Sequence, residues 1–315
     1  MIDSVRLKDV VASGRCTGCA ACMVACTRGG IEVDEFAIIN DELCRSCDTC
    51  SDVCPVIGGS PADEFDNVIA VYKSRAKDMD GQNGATVSGI LKYLFEVGEI
   101  DAVIGVERDE EWKASPVVIS DKKDIAKIAG TKYTYVPIFK AFKDAIDEGF
   151  TNIAIVGTPC QVNAARRIKN SNIIGASDKI GAIIGLFCLE SFYYNGLCKN
   201  LIEKEMGIDL KSVKKMEISK GKFIVMSDEE KSVPVKDLGR YVRLPCHKCV
   251  DFSAYYADLS VGSVGAPDGW NTSIVRTERG KEIFEIAKKN LEIEDGSIDA
   301  AKKLSERKRK MARER

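Results

Sequence analysis

Histidine is nearly missing: His247 is the one imidazole in 315 residues. That scarcity argues against a histidine-based hydrolytic triad and against a histidine-rich zinc site. Neither charge sign dominates, with 46 Lys and Arg against 48 Asp and Glu. A formal net charge of −2 gives no reason to expect nucleic acid as the main partner. Long apolar runs are missing too. The longest, "IGAIIGLFCL" from Ile180, falls well short of the ~20 residues that cross a bilayer. The opening "MIDSVRLKDVV" lacks the basic-then-apolar pattern of a secretory leader. These absences predict a cytoplasmic protein, not an integral membrane one, docked to a membrane at most through partner subunits.

What the chain has in excess is cysteine, thirteen residues. A chain this long needs no disulfides to staple it. In a reducing compartment, clustered thiols are more often metal ligands or redox groups. Eight of them form two copies of C-x2-C-x2-C-x3-C, "CTGCAACMVAC" from Cys16 and "CRSCDTCSDVCP" from Cys44, offset by 28 residues. Zinc sites pair two short cysteine steps or mix cysteine with histidine, and a dithiol redox site needs a single C-x-x-C. Three thiolates at successive two-residue gaps instead wrap one iron–sulfur cubane and send a fourth to the neighbouring cluster. The expected 4Fe–4S ligand sets are Cys16, Cys19, Cys22 and Cys54, and Cys44, Cys47, Cys50 and Cys26. The second copy ends in Pro55, whereas the first carries Thr27 at that place.

Four further cysteines stand in suggestive settings. Cys160 ends a strand candidate in "VGTPC", Cys188 ends another in "GLFC", and Cys246 and Cys249 form "PCHKC". They either converge on a third cluster or, for Cys160 and Cys188, are plain buried thiols; spacing leaves both readings open. Cys198, inside helical "NGLCKNL", has no partner pattern. The loop "GQNGATVSG" precedes a helix, so its amides could hold a pyrophosphate or cap a turn. It is not the G-x-G-x-x-G fingerprint.

Residues 1–56 read as a small ferredoxin-like module and 57–67 as a Gly/Pro/Asp-rich linker. From residue 68 to 290, strands and helices alternate, which predicts α/β architecture. Strands are expected at "VIAVYKS", "DAVIGVER", "SPVVIS", "NIAIVGTPC" and "KIGAIIGLFC". Helices are expected at "ATVSGILKYLFEVGEI", "DKKDIAKIAG", "PIFKAFKDAIDEGF" and "QVNAARRIKN". "MEISKGKFIVMSD" predicts a hairpin turning at Lys220–Gly221. Residues 291–315 read as a basic helical tail, solvated or docking.

Several stretches together resemble one family: "GQNGATVSGILKYLFEVGEIDAVI", "AGTKYTYVP", "VGTPCQ", "GLFC", "SKGKF" and "CHKCVDFSAYYADLSVGSVGAPDGWNTSIVRT". They look like the beta subunit of coenzyme F420-reducing hydrogenase and its relatives. With two ferredoxin-type repeats in front, the chain resembles the electron-input subunits of reduced-F420 dehydrogenases and the ferredoxin:F420 oxidoreductases of methanogens and related archaea. The resemblance implies an α/β (α+β) flavoprotein domain behind a two-cluster ferredoxin-like domain. It implies FAD, a third 4Fe–4S cluster on Cys160, Cys188, Cys246 and Cys249, and hydride exchange with coenzyme F420. The implied partners are other redox subunits or ferredoxin. Because hydride passes between flavin and deazaflavin, no catalytic acid or base is required. Candidate FAD residues are Gly81, Gln82, Asn83, Gly84 and Thr86, then Lys132, Tyr133 and Thr134, then Gly262, Ser263 and Gly265. The phosphodiester and glutamyl tail of F420 call for a basic lip, from Lys73, Arg75 and Lys77 or from Arg166 and Arg167. The competing readings are a hydrogenase beta subunit, a heterodisulfide-reductase component, a pure iron–sulfur relay and a non-catalytic zinc subunit.

Overall fold

The computed structural model describes residues 5–79 and 81–314. The N-terminal region carries a short antiparallel hairpin, β1 (Ile31–Val33) and β2 (Ala37–Ile39), with Ile31 facing Ile39. The main sheet draws on β3 (Ala70–Ala76), β4 (Ala102–Arg108), β5 (Ala114–Ile119), β6 (Ile153–Gly157) and β7 (Ile180–Leu186). Three more strands, β8 (Lys215–Ser219), β9 (Lys222–Met226) and β10 (Glu230–Pro234), form a separate meander. Then β11 (Leu259–Gly262), β12 (Asn271–Val275) and β13 (Leu291–Asp295) return to the main sheet. Its order is β13-β3-β12-β11-β7-β6-β4-β5. The pairs β4–β6, β6–β7 and β7–β11 are parallel; the outer pairs are antiparallel. The architecture is mixed α/β.

The central strands are apolar on both faces because helices cover both. On one face Ala102, Ile104, Ile153, Ile155 and Ile183 pack under the helices Phe139–Asp147 and Pro159–Lys169. On the other, Val103, Ala154, Ala182 and Ile184 pack under Thr86–Glu96 and Glu278–Ala287. This strict two-residue alternation assigns each side chain to one layer. The N-terminal region joins the first layer: Leu7, Val10, Cys19, Cys22, Ile31 and Val53 belong to the same buried cluster as Phe139 and Ile168. Phe139 donates its amide to the Cys19 carbonyl at 3.2 Å.

Most expected elements are present, with shifted ends. The helix expected at 85–100 spans Thr86–Glu96; Leu91 and Leu94 are buried, whereas Val97 caps it and is exposed. The hairpin does turn at Lys220–Gly221, both with positive φ, the backbone that tight two-residue hairpins require. The helix of Cys198, Asn195–Glu205, is a π-helix, with Met206 donating to Leu201 O at 2.8 Å.

Three segments differ from expectation. Cys160 does not end a strand. β6 stops at Gly157, Thr158 caps a helix reciprocally with Gln161, and Pro159 occupies the first helical position, so Cys160 lies in the first helical turn. Residues 57–67 are not a free tether. Glu64, 1% exposed, accepts the amides of Phe252 and Ser253 at 2.8 and 2.7 Å. Residues 291–315 are not a solvated tail. β13 pairs with β3 in the main sheet, and the helix Asp299–Glu314 buries Ala301, Ser305, Lys308 and Ala312 along one face. Positions 301, 305, 308 and 312 repeat at helical spacing, but their small or polar side chains hid that face from a hydropathy reading.

Candidate functional site

The parallel strands β4, β6, β7 and β11 all end at one edge of the sheet, and β3 runs the same way through β12. Sites in open α/β sheets form at this carboxyl edge. Here the edge gives rise to the loop before Thr86, the segment Thr158–Cys160, the segment Phe187–Cys188 and the β11–β12 loop.

Cys160, Cys188, Cys246 and Cys249 line one cavity of about 90 Å³ together with Tyr135, Arg243 and Lys308. Different elements deliver them: a helix N-terminus, the turn after β7, and the 3-10 turn Leu244–Lys248. All four sulfurs have a polar side chain or carbonyl close by, Cys188 Sγ donating to Glu190 O at 3.7 Å. Cys160 Sγ lies 3.6 Å from the Tyr135 hydroxyl, Cys246 Sγ 3.6 Å from Ser191 Oγ, and Cys249 Sγ 3.7 Å from Asp251 O. Burial pushes the Cys160 and Cys188 thiols up and takes Cys249 to about 11. Buried thiols in that state act as small apolar groups unless a metal takes the proton's place. Lys308 sits among them; burial works against its charge, yet Cys249, Cys188 and Cys246 hold its affinity for the proton above the ordinary value.

The eight N-terminal cysteines divide by environment. Cys16, Cys19, Cys22 and Cys54 line a smaller cavity of about 10 Å³. Cys19, Cys22 and Cys54 are buried, whereas Cys47 is exposed and Cys26, Cys44 and Cys50 are half-buried. The backbone repeats with the sequence. Gly18 and Ala20 have left-handed φ in the first copy, and Ser46 and Asp48, 28 positions on, have it in the second. Three of these four residues are not glycine. Such conformations cost of order 1 kcal/mol or more and concentrate where a site demands them. Thr27 now has an account. Pro55 begins the short helix Pro55–Gly58, where a missing N–H costs nothing. The first copy instead turns at once, with Gly29 donating to Cys26 O at 3.2 Å, so proline has no helix to start.

The three cysteine groups adjoin. Cys22 feels Cys19, Cys16, Cys54 and also Cys50; Cys50 in turn feels Cys47, Cys26 and Cys44. Cys19 feels Cys54, Cys160 and Cys16. Tyr135 lies between Cys160 and Cys19 and is covered by the Arg243 guanidinium at 4.1 Å. Arg243, 4% exposed, donates to Glu35 O in the β1–β2 turn at 3.0 Å. Among the described residues no three His, Cys, Asp or Glu side chains close on a single metal ion.

The candidate FAD residues separate into two kinds. Gly84 N and Thr86 N both donate to Asn271 Oδ1, at 3.1 and 3.3 Å, and Thr86 Oγ1 donates to Ser74 O at 2.8 Å. Asn271, which the sequence did not single out, thus occupies two amides expected for a phosphate. A Cβ on Gly84 would lie 2.8 Å from Ser74 O, so this glycine serves the packing of its own loop. Gly262 likewise makes room for the Phe187 ring, and Gly265 is left-handed beside Thr272. The Ser263 carbonyl accepts the Ala266 amide at 3.4 Å. By contrast Gln82 Oε1 accepts the Thr131 amide at 2.6 Å, joining the loop of Gly81, Gln82 and Asn83 to that of Lys132, Tyr133 and Thr134. Burial, with Arg108 beside it, lowers the Lys132 ammonium to about 8. Arg108, stacked on Trp112 at 3.8 Å, was also missed by the sequence.

The candidates for a basic lip already make contacts within the chain. Lys73 and Arg75 pair with Glu294 and Glu292 of β13 at 3.4 and 2.6 Å, and Lys77 donates to Lys289 O. Arg166 is held by Asp258 at 2.6 Å, and Arg167 lies against Gly58 with a buried Nε. The strand β13, unforeseen in the sequence, is what engages Lys73 and Arg75.

Two family models match this chain, the N-terminal and the C-terminal parts of the coenzyme F420 hydrogenase/dehydrogenase beta subunit, over residues 71–143 and 150–301 respectively. The chain is therefore an oxidoreductase subunit of the coenzyme F420 type. It belongs to the coenzyme F420 hydrogenase/dehydrogenase beta-subunit family. It is 38% identical to the F subunit of the F(420)H(2) dehydrogenase of Methanosarcina mazei, over 97% of this chain and 92% of that protein. It is 35% identical to the beta subunit of the coenzyme F420 hydrogenase of Methanosarcina barkeri, over 74% of this chain and 82% of that one. A chain of the F420-reducing NiFe hydrogenase complex of Methanosarcina barkeri superposes with a TM-score of 0.75 at 31% identity, covering 81% of this chain and 94% of that chain. Among the described residues no helix is long and apolar enough to cross a membrane.

Proposed function

We propose that the chain is the F420-facing subunit of a reduced-F420 dehydrogenase or ferredoxin:F420 oxidoreductase, with FAD and three 4Fe–4S clusters. The ligand sets are Cys16, Cys19, Cys22 and Cys54; Cys44, Cys47, Cys50 and Cys26; and Cys160, Cys188, Cys246 and Cys249. FAD supplies the conversion between a two-electron hydride, exchanged with F420, and the single electrons that iron–sulfur clusters carry. The dehydrogenase reading is favoured over a hydrogenase beta subunit by coverage. The Methanosarcina mazei dehydrogenase protein matches 97% of this chain, cysteine repeats included, against 74% for the Methanosarcina barkeri hydrogenase protein.

The observation that carries the reading is the adjacency of three four-cysteine groups. Cys50 neighbours Cys22, and Cys19 neighbours Cys160, so the groups follow one another from an exposed end to the sheet edge. A pure relay would not need a buried lysine beside a glycine loop. The donor chemistry fits cubanes, which bind each thiolate through its own iron. A single zinc ion would require four sulfurs converging at ~2.3 Å. Tyr135, with Arg243 over its ring, adjoins both Cys160 and Cys19. Lys132, desolvated beside the exposed Arg108, offers a positive group for a cofactor phosphate.

The test is anaerobic purification followed by assay of iron, sulfide, zinc and FAD, then addition of reduced F420 with a dye acceptor. The expected result is about twelve irons, bound FAD and dye reduction by reduced F420. Bound zinc with about four irons would sink the three-cluster reading. Bound FAD without F420 oxidation would assign a different hydride donor.

A further inference from the structure

The C-terminal helix brings a buried charge to the inner cysteines, in addition to Lys248 and Arg243, which line the same cavity. Lys308 is 4% exposed. Its Nζ donates to Cys188 O and Asp251 O, each at 2.7 Å. Both carbonyls belong to segments that carry an inner cysteine, Cys188 itself and Cys249. Lysine is almost never this buried without a counter-charge. Of the nearby carboxylates, Asp251 acts on Lys308 less than Cys249, Cys188 and Cys246 do, and both it and Glu64 hold other donors. Asp251 accepts the Tyr255 amide, and Glu64 accepts Phe252, Ser253 and Ser305. The nearby Arg276 adds a second cation, bound by Glu64 O, Asn67, Ser253 and Ser260. The helix cannot drift, because Ser305 is fixed on Glu64 and Arg309 donates to Pro61 O at 2.9 Å. The family match ends at residue 301, before this lysine.

We propose that Lys308 is the compensating cation of the iron–sulfur cluster held by Cys160, Cys188, Cys246 and Cys249, and that it raises that cluster's reduction potential. The inference rests on the three-cluster reading above. Four thiolates around a cubane leave a net anion, and accepting an electron makes it more negative. A fixed ammonium in a low-dielectric site therefore favours the reduced form. Lys308 acts through charge and position and touches no substrate.

The test is a redox titration followed by electron paramagnetic resonance on the anaerobic full chain, comparing wild type, Lys308→Gln and Lys308→Arg, with iron counted in each. The expected result is about twelve irons in all three. One cluster signal moves to more negative potential in Lys308→Gln and returns in Lys308→Arg, while the other two stay put. No shift at full iron, or an equal shift of all three signals, overturns the proposal. Should Lys308→Gln lose one cluster, retention of that cluster by Lys308→Arg supports the charge role, and loss in both variants overturns it. About eight irons in the wild type would overturn the third-cluster reading itself, a failure distinct from an unmoved potential.

Discussion

The two N-terminal cysteine repeats have the same spacing and the same pair of left-handed residues, yet opposite surroundings. The group of Cys16, Cys19, Cys22 and Cys54 is built into the apolar layer beneath Phe139 and Ile168. In the group of Cys44, Cys47, Cys50 and Cys26, Cys47 is exposed and the others are half-buried, with Leu43, Phe36 and Ile38 exposed in the same region of the chain. The same cysteine spacing thus sits in two different packing environments. On the proposed reading, the buried group would hand electrons inward and the more open one would meet a partner.

The largest expected effect tests that contrast directly. Cys22→Ala and Cys47→Ala should each remove about a third of the iron. Only Cys22→Ala should also lower the melting temperature, by more than about 5 °C, because it opens the shared core as well as releasing a cluster. Iron assay and anaerobic thermal unfolding read both quantities. Equal melting losses would mean the two groups are alike in structural weight.

Next in size is the tie between the regions. Arg243→Leu removes a charged donor to Glu35 O and the cover over Tyr135. A hydrogen bond from a charged group is worth about 1.5–3 kcal/mol. Limited proteolysis of the N-terminal region should then quicken by about tenfold or more. An unchanged cleavage rate would show that this region is held without Arg243.

The same contrast explains what the sequence could and could not disclose. The strands β4, β6 and β7 were legible because they are unbroken apolar runs, and the doubled backbone turns at Gly18, Ala20, Ser46 and Asp48 follow the doubled cysteine spacing. β11 and β12 were illegible for a physical reason. Ser260, Thr272 and Ser273 are fully buried, satisfied by partners remote in sequence such as Ser74 and Arg276, and hydropathy cannot foresee such pairs. Lys308 and Asn271 were missed likewise. Each reads locally as an ordinary polar residue, and only the fold places one against Cys188 O and the other on Gly84 N.

A smaller effect concerns the sheet-edge loops. Lys132→Met should weaken FAD retention about tenfold, the loss of one charge-assisted contact. It should also alter the pH dependence of the flavin-free protein. The folded chain sheds the Lys132 proton near 8, because of burial and Arg108 and despite Glu107, whereas the unfolded chain keeps it to its ordinary 10.5. Between those values the unfolded state binds more protons, so stability rises with pH, and Lys132→Met removes that rise. Denaturant melts at pH 7.5 and 9.5 would measure it. The same slope in both proteins would place Lys132 in water.

The smallest effect should come from the thirteenth cysteine, which completes the contrast between ligand and filler. Cys198 is buried in the core around the β8–β10 meander, with Leu197, Leu201 and Phe223, and burial takes its thiol to about 12. It neighbours no other cysteine among the groups that act on it. Cys198→Ala should therefore keep every iron and cost on the order of 1 kcal/mol, the loss of a small buried apolar group. Iron assay and denaturant unfolding of the variant decide the matter. Loss of a cluster would mean that one of the twelve assigned ligands is misplaced, and the inner group, assembled from three separate segments, would be the first to re-examine.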